Sequence, residues 1–267
     1  MADSFYYVYG VVPSSIAIEA APTGIDGRGV ELVTDDDIAA LTGRVDASVY
    51  GSGVDERIAD VAWIAPRATA HDAVLTWASD LGAVVPLPLL SLFRTEDAVR
   101  AMLADRRDEL RQLLKRLALG REYGVRVFRV DAELRHALSS FSASIAALEV
   151  EMSSATSPGQ AYLLGRKLDA ARKGELHRVA DVVATAAYEE LAAHALASTQ
   201  DSVPKATADQ TGAAVLNASF LVAHGRLDEF RAALTSLVRD YTGRGFRLEF
   251  TGPWPPYHFA GKVDDAE

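Results

Sequence analysis

The chain has 267 residues, 49% of them hydrophobic, so it is long enough for one large domain or two modest ones with well-formed cores. Its formal net charge of −10 argues against binding along a nucleic-acid phosphate backbone, because no dominant positive field is present. The absence of cysteine excludes disulfides, thiolate catalysis and sulfur-ligated metals. We expect a soluble cytoplasmic protein, since no signal-peptide pattern begins the chain and no apolar run is long enough for a membrane span.

The first hundred residues predict short strands alternating with helices. The aromatic and β-branched run FYYVYGVVP, residues 5–13, is typical of a buried strand. Residues 30–45, VELVTDDDIAALTGRV, predict a short strand and then a short helix with Thr34 as its N-cap, and residues 46–53, DASVYGSG, predict another short strand. A helical stripe follows at residues 69–82.

An extended segment and a long helix complete the first half. Residues 83–93, AVVPLPLLSLF, predict an edge strand or extended chain, because Pro86 and Pro88 cannot donate to a sheet ladder. Residues 95–120 predict one continuous helix, capped by Thr95 and ended by Gly120. The strand REYGVRVFRV follows, and we place a domain boundary within it, which gives domains 1–122 and 123–267.

The second half predicts long helices followed by a strand, a helix and a strand. Residues 131–198 are almost entirely helical in pattern, with a break before Ser157 and Pro158, a pair that favours a helix start. Residues 198–212 predict a loop. The remaining pattern is β-α-β, with a helix of the length that normally crosses a sheet. The chain is therefore expected to be α+β, with helices packed on a sheet in each half.

No motif for catalysis, a metal or a cofactor stands out, so we expect a protein that is not an enzyme. The pairs His177 with Asp181 and Glu190 with His194 each share a helix face, but two ligands are only half of a metal site. The glycine-rich stretches GIDGRG and YGSG match neither a dinucleotide fingerprint nor a phosphate loop. These residues are read as solvated helix positions and ordinary turns.

Several stretches, in order along the chain, resemble one known family. The C-terminal stretch LEFTGPWPPYHF resembles the T/S-G-P-W-P-P-Y-x-F signature of the gas vesicle protein GvpL/GvpF family. The stretches YYVYGVV, VVPLPLLSLFRTEDAVRAML, EYGVRVF, SPGQAYLLGRKLD and NASFLV resemble the family's first strand, central segment, joining strand, long helix and penultimate strand. The ordered set spans nearly the whole chain.

The resemblance implies both a fold and a role. It implies two α+β domains, the first a variant of the ferredoxin-like sandwich and the second with long helices. It further implies a non-enzymatic accessory protein for gas vesicle assembly in the cytoplasm, which binds the hydrophobic shell protein and other accessory proteins. It does not distinguish GvpF from GvpL. The alternative is an α+β small-molecule-binding or regulatory protein, which a deep apolar pocket with convergent polar groups would favour.

The proline-rich C-terminal motif has two interpretations. In the first, Gly252 ends the last strand, and Trp254 and Tyr257 pack back onto the protein, so that Trp254 is mostly buried. In the second, Trp254 and Tyr257 are partner-binding residues, since such side chains dominate protein interfaces. In either case Phe246, Leu248 and Phe250, which alternate with charged residues, are expected on the buried face of the last strand.

Overall fold

The computed structural model of the protein describes residues 4–51, 54–203 and 212–261. The chain divides into two compact units: unit 1 comprises Met1–Glu122 with Pro253–Glu267, and unit 2 comprises Tyr123–Gly252. We propose that these units are the two domains. They differ from the predicted division in one respect, because the chain from Pro253 onward groups with unit 1 and not with the C-terminal half.

Unit 1 is built around an antiparallel sheet with β1 at its centre. Strand β1 pairs with β3, β4 and β5, and β2 pairs with the far side of β3, which gives the order β2-β3-β1-β4. The elements are β1 (Ser4–Pro13), β2 (Glu31–Asp35), β3 (Ile38–Asp46), α1 (Ala47–Tyr50), α2 (Val54–Ile58), α3 (Val61–Leu81), β4 (Val85–Pro86), β5 (Leu92–Phe93), α4 (Glu96–Asp105) and α5 (Arg107–Leu117).

The core of unit 1 lies between this sheet and α3. Tyr7 and Tyr9 of β1 are fully buried, as the aromatic run predicts, and they pack with Val74 and Leu75 of α3. Thr95 caps α4 by accepting a hydrogen bond from the backbone nitrogen of Ala98 at 3.1 Å. The single helix predicted over residues 95–120 is wrong, since α4 and α5 are separate helices that meet at Arg106, whose ψ of 12° is not helical.

Two further local predictions in unit 1 are wrong. The helix predicted after Thr34 is strand β3, which forms a hairpin with β2 through a turn in which Asp36 adopts a φ of 58°. The strand predicted from Asp46 begins instead with α1, because the Asp46 side chain accepts a hydrogen bond from the backbone nitrogen of Ser48 and caps the helix. The end of that prediction, Ser52 and Gly53, lies outside the described residues.

Unit 2 contains the long helices and the second sheet. Helix α8 has 35 residues, about 52 Å at the usual rise, and begins at Pro158 with Ser157 as its N-cap, as predicted. The elements are β6 (Gly120–Arg129), α6 (Asp131–Phe141), α7 (Ala143–Ser153), α8 (Pro158–Ala192), β7 (Ala197–Gln200), β8 (Ala213–Ala223), α9 (Leu227–Tyr241) and β9 (Phe246–Trp254).

The loop predicted over residues 198–212 is wrong at its start. Residues 197–200 form strand β7, which pairs antiparallel with β8 and so satisfies backbone groups that a loop would leave to water. Residues 204–211 lie outside the described residues. The expected apolar face of the last strand is confirmed, since Phe246 is buried in the core of unit 2 and Leu248 and Phe250 pack half-buried against that core, whereas Arg247 and Glu249 are half-buried as well.

The two units share one strand order. The sheet of unit 2 runs β7-β8-β6-β9, and α9 crosses from β8 to β9 over β6. If the four strands of each sheet are numbered 1 to 4 along the chain, both sheets have the spatial order 2-3-1-4. This is the strand order of the ferredoxin-like β-α-β-β-α-β sandwich. In unit 1 the first crossover is a loop with one 3-10 turn at Ile25–Gly27 in place of a helix. The protein is therefore α+β, as predicted.

Candidate functional site

The C-terminal motif folds as a compact turn on unit 1. Strand β9 continues through Gly252, whose φ is 108°, to Trp254, so Gly252 does not end the strand as predicted. Beyond it, the backbone nitrogen of Tyr257 donates to the Pro255 carbonyl at 2.7 Å. The buried members of this segment, which we call the tail (residues 253–261), are Pro255, Pro256, Phe259 and Ala260.

Polar contacts from β6 and α5 hold the tail in place. The side chain of Glu122 is 2% exposed, and its carboxylate accepts hydrogen bonds from the backbone nitrogen and from the ring Nδ1 of His258. The guanidinium of Arg116 donates to the Phe259 carbonyl. The desolvated carboxylate of Glu122 is therefore compensated, and the backbone of the tail is fixed at successive residues.

Tyr257 connects the tail to helix α3. Its hydroxyl donates to Oδ1 of Asp72 at 2.8 Å. Burial of the hydroxyl, and then the neighbouring Asp72 carboxylate, raise the pKa of Tyr257, so the hydroxyl stays protonated and remains a donor. The residue as a whole is 40% exposed, and part of its ring faces water.

Trp254 is 43% exposed, so the expectation that it is mostly buried is wrong. The buried apolar positions of the motif are filled by the prolines and Phe259 instead. The structure therefore brings Trp254 and Tyr257 to the surface of the tail, and the Tyr257 hydroxyl also helps to anchor it through Asp72. Their partner-binding role stays a prediction.

The outer face of α3 adds an uncharged surface that the sequence analysis did not identify. Exposed residues of this helix recur at spacings of three and four, which places them on one side. The first of them, Val61, is 73% exposed. We group these residues with Trp254 and Tyr257 of the tail, which the Tyr257–Asp72 hydrogen bond joins to α3, and call the set the α3–tail surface: Val61, Ala62, Ala65, Pro66, Thr69 and Ala73.

The charge within this stretch of α3, that of Arg67, is turned away from the face, and the Asp60 carboxylate, which caps the helix at the backbone nitrogen of Ala62, lies at its N-terminal edge. The Arg67 guanidinium pairs with Asp26 at 2.7 Å, donates to the Tyr50 hydroxyl at 2.8 Å and lies 4.0 Å from the centre of the Trp63 ring. These contacts hold Arg67 on the side of α3 that packs on unit 1. From Val61 to Thr69 this face of the helix consequently presents uncharged side chains, and further along the helix Asp72 accepts the hydrogen bond from Tyr257.

A buried polar network fixes the opposite side of α3. Nδ1 of His71 lies 2.7 Å from the Tyr7 hydroxyl, and that hydroxyl accepts a hydrogen bond from the backbone nitrogen of Leu90 at 3.1 Å. Leu90 has a φ of 69°, an uncommon value for a non-glycine residue. Burial lowers the pKa of His71 to about 4, so the ring is neutral near pH 7. The network joins α3 to the proline-containing segment before β5.

The described residues contain no group of three or more histidine, aspartate or glutamate side chains arranged to hold a metal ion. Over the same residues, none of the helices is long and apolar enough to cross a membrane.

Comparison with known proteins identifies the family. The model of the family described as "Gas vesicle synthesis protein GvpL/GvpF" matches residues 5–261. "Gas vesicle protein L" of a Streptomyces strain is 33% identical over 268 residues, covering 98% of this chain and 95% of that protein. "Gas vesicle protein L2" of Halobacterium salinarum is 28% identical, covering 96% and 91%.

The fold is also similar to that of a solved relative. The crystal structure of the gas vesicle protein GvpF from Anabaena superposes with a TM-score of 0.71 at 20% identity, covering 97% of this chain and 99% of that one. This likeness extends over both units and supports the α+β assignment. Together with the family match over nearly the whole chain, it leads to one conclusion: the chain belongs to the gas vesicle GvpL/GvpF family.

Proposed function

We propose that this protein is a non-enzymatic accessory factor that binds the hydrophobic gas vesicle shell protein, and other accessory proteins, during assembly in the cytoplasm. Membership of the family supports an accessory role in gas vesicles. The binding step is our inference, and the observation that carries it is the α3–tail surface. No catalytic residue is required for this role.

The chemistry of that surface suits an apolar partner. A protein that lines a gas-filled space must itself be hydrophobic, and it aggregates unless its apolar surface is covered before assembly. The α3–tail surface offers Val61, small side chains and two half-exposed aromatic rings, with no charged side chain between Val61 and Thr69 on that face. Trp and Tyr are the residues most enriched at interface hot spots.

The rigidity of the surface adds to its suitability. The tail is anchored through Glu122, Arg116 and Asp72, and α3 is held by the core of unit 1. A partner that docks there does not have to order a loop first, which removes part of the entropic cost of binding. The negative net charge of −10 keeps the remainder of the protein soluble.

A charge placed on the α3–tail surface tests the proposal. Ala65→Glu puts a carboxylate on an exposed helix position without lowering helix propensity greatly, so the fold is expected to survive. The matched control is Ala170→Glu, another exposed alanine, on α8 of unit 2. We expect co-expressed shell protein to be recovered with the wild type and with Ala170→Glu, and to be lost with Ala65→Glu.

If Ala65→Glu recovers as much shell protein as the wild type does, the binding site does not include this face of α3. Loss of recovery with both variants would show that the effect is one of net charge and not of the α3–tail surface. Failure of the wild-type protein to recover the shell protein, in conditions where other accessory proteins succeed, would contradict the proposed function as a whole.

A further inference from the structure

A hollow in unit 2 carries an inference that is independent of the α3–tail surface. It lies among three helices and has a volume of about 490 Å³, within the range of small-molecule sites. Helix α6 contributes one wall, and α7 and α8 contribute the other. The lining residues are Ala132, Arg135, His136, Glu149 and Arg172.

Arg172 is held in the hollow by an ion pair that leaves one of its donors unused. Its Nη2 donates to Oε1 of Glu149 at 2.8 Å, and this hydrogen bond is the main reason that the pKa of Glu149 is lowered. The Nε of Arg172 is shielded from water and has no hydrogen-bond partner among the described residues. A desolvated donor without an acceptor is unfavourable, so the ion pair with Glu149 does not satisfy the whole guanidinium.

Arg135 and His136 supply further donors that the described chain does not use. Both are exposed on α6, and neither side chain forms a hydrogen bond or an ion pair with another described residue. By contrast, Arg178 and Arg226 of the same unit each pair with a carboxylate three residues away. Arg135 therefore has no paired carboxylate within the described part of a chain whose net charge is −10.

From this arrangement we propose that the hollow binds a small multivalent oxyanion, a polyphosphate or a polycarboxylate, between Arg135, His136 and Arg172. Guanidinium groups present parallel donors that match carboxylate and phosphate oxygens. Glu149 does not oppose such a ligand as a free charge, because Arg172 already neutralises it. The lining contains no Phe, Tyr or Trp side chain that would offer a large apolar ring to a nucleobase, so the recognised group is the anion itself.

Calorimetric titration of the full chain with pyrophosphate, and separately with citrate, tests the site. Chloride at matched ionic strength is the reference, because general screening of a charged protein must be separated from binding. We expect one site per chain for at least one of the two anions. Pyrophosphate binding alone would assign the site to phosphates, and citrate binding alone would assign it to carboxylates; either result supports an oxyanion site.

Substitution locates the binding. Arg135→Gln is expected to weaken it roughly tenfold, the usual effect of removing a charged hydrogen-bond donor. The matched control is Arg231→Gln, an exposed arginine on α9 of the same unit, which is expected to change the affinity less than about twofold. Because Arg135 has no partner in the described chain, its loss should leave folding intact, which a thermal melt checks.

Two results would overturn the proposal. One is the absence of any binding heat above the chloride reference for both anions. The other is equal weakening by Arg135→Gln and Arg231→Gln, which would mean that the anions respond only to overall charge. Neither readout depends on the shell protein, so the outcome is separate from that of the proposed function.

Discussion

The carboxylate of Glu122 accepts two hydrogen bonds from His258, one from its backbone nitrogen at 3.1 Å and one from its ring Nδ1 at 2.5 Å. Glu122 lies in β6 and His258 in the tail, 136 residues further along the chain. A nearly fully buried side chain in the first strand after α5 thus determines where the C-terminal motif sits.

Glu122→Ala is expected to lower the free energy of unfolding of unit 1 by roughly 2–3 kcal/mol, because the donors of His258 lose a charged acceptor in a buried setting. All three tryptophans, Trp63, Trp77 and Trp254, belong to unit 1, so urea unfolding followed by tryptophan fluorescence reports on this unit. Glu19→Ala, at an exposed position of unit 1, is the control. A shift of less than about 0.5 kcal/mol for Glu122→Ala would mean that the tail is held by other contacts.

Trp254→Ala and Phe259→Ala are expected to separate binding from stability. Phe259 is 6% exposed, so its truncation should lower the free energy of unfolding by about 3–5 kcal/mol. Trp254 is half exposed, so its truncation should reduce stability by less than about 2 kcal/mol while shell-protein recovery falls. Thermal melts and pull-downs on both variants measure this. If Trp254→Ala melts and binds as the wild type does, Trp254 is not part of the binding surface.

The neutral state of His71 predicts how the stability of unit 1 depends on pH. Burial lowers the pKa of His71 from the ordinary value of 6.5 to about 4 in the folded state, so the unfolded chain takes up a proton at higher pH than the folded one. The associated stability is fully present above about pH 6.5 and decreases as the pH falls toward 4. The total loss is roughly 3 kcal/mol.

His71→Gln is the variant that isolates this effect. It keeps a polar side chain near the Tyr7 hydroxyl but cannot titrate. Urea unfolding at several pH values between 4 and 7 should show a steeper loss of stability for the wild type than for His71→Gln. Parallel curves for the two proteins would assign the acid sensitivity to carboxylates and not to His71.

Gly245 is expected to be intolerant of any side chain. Its φ is 95°, and a Cβ at this position would lie 2.4 Å from Cα of Leu134. Gly245→Ala should therefore destabilise unit 2 by more than the roughly 1–2 kcal/mol that a positive φ alone costs. Gly243, with a φ of 78° and no atom near the Cβ position, is the matched control, and far-UV circular dichroism during thermal unfolding compares the two. Equal effects would show that Leu134 moves aside.

Local capping signals were readable from the sequence. Thr95 and the pair Ser157 with Pro158 start helices where predicted, because the geometry of an N-cap is set by a few neighbouring residues. The same signal gave a wrong prediction at Thr34, where the three aspartates that follow are typical of the first turn of a helix but precede strand β3. There, Asp36 adopts a left-handed turn, and pairing of β3 with β1 outweighs the helical tendency of residues 38–41.

The candidate site was only partly predictable. The motif identified Trp254 and Tyr257 as candidates. Their exposure, however, depends on which side chain of the tail is buried in the protein, and that side chain is Phe259. The outer face of α3 escaped prediction because alanine, proline, threonine and valine are equally at home in a core and on an uncharged surface. Arg67 lies in the same stretch, and its pairing with Asp26 is a tertiary contact that sequence spacing does not encode.

Unit 1 is built from two separate segments of the chain, and this has a consequence for the order of folding during synthesis. Residues 123–252 form one continuous stretch, so unit 2 can begin to fold as soon as that stretch has left the ribosome. Most of unit 1 is translated before unit 2, but Glu122, Arg116 and Asp72 can bind the tail only after residues 123–252 have been made. Because Trp254 and Tyr257 belong to that tail, synthesis of unit 2 must precede completion of the α3–tail surface.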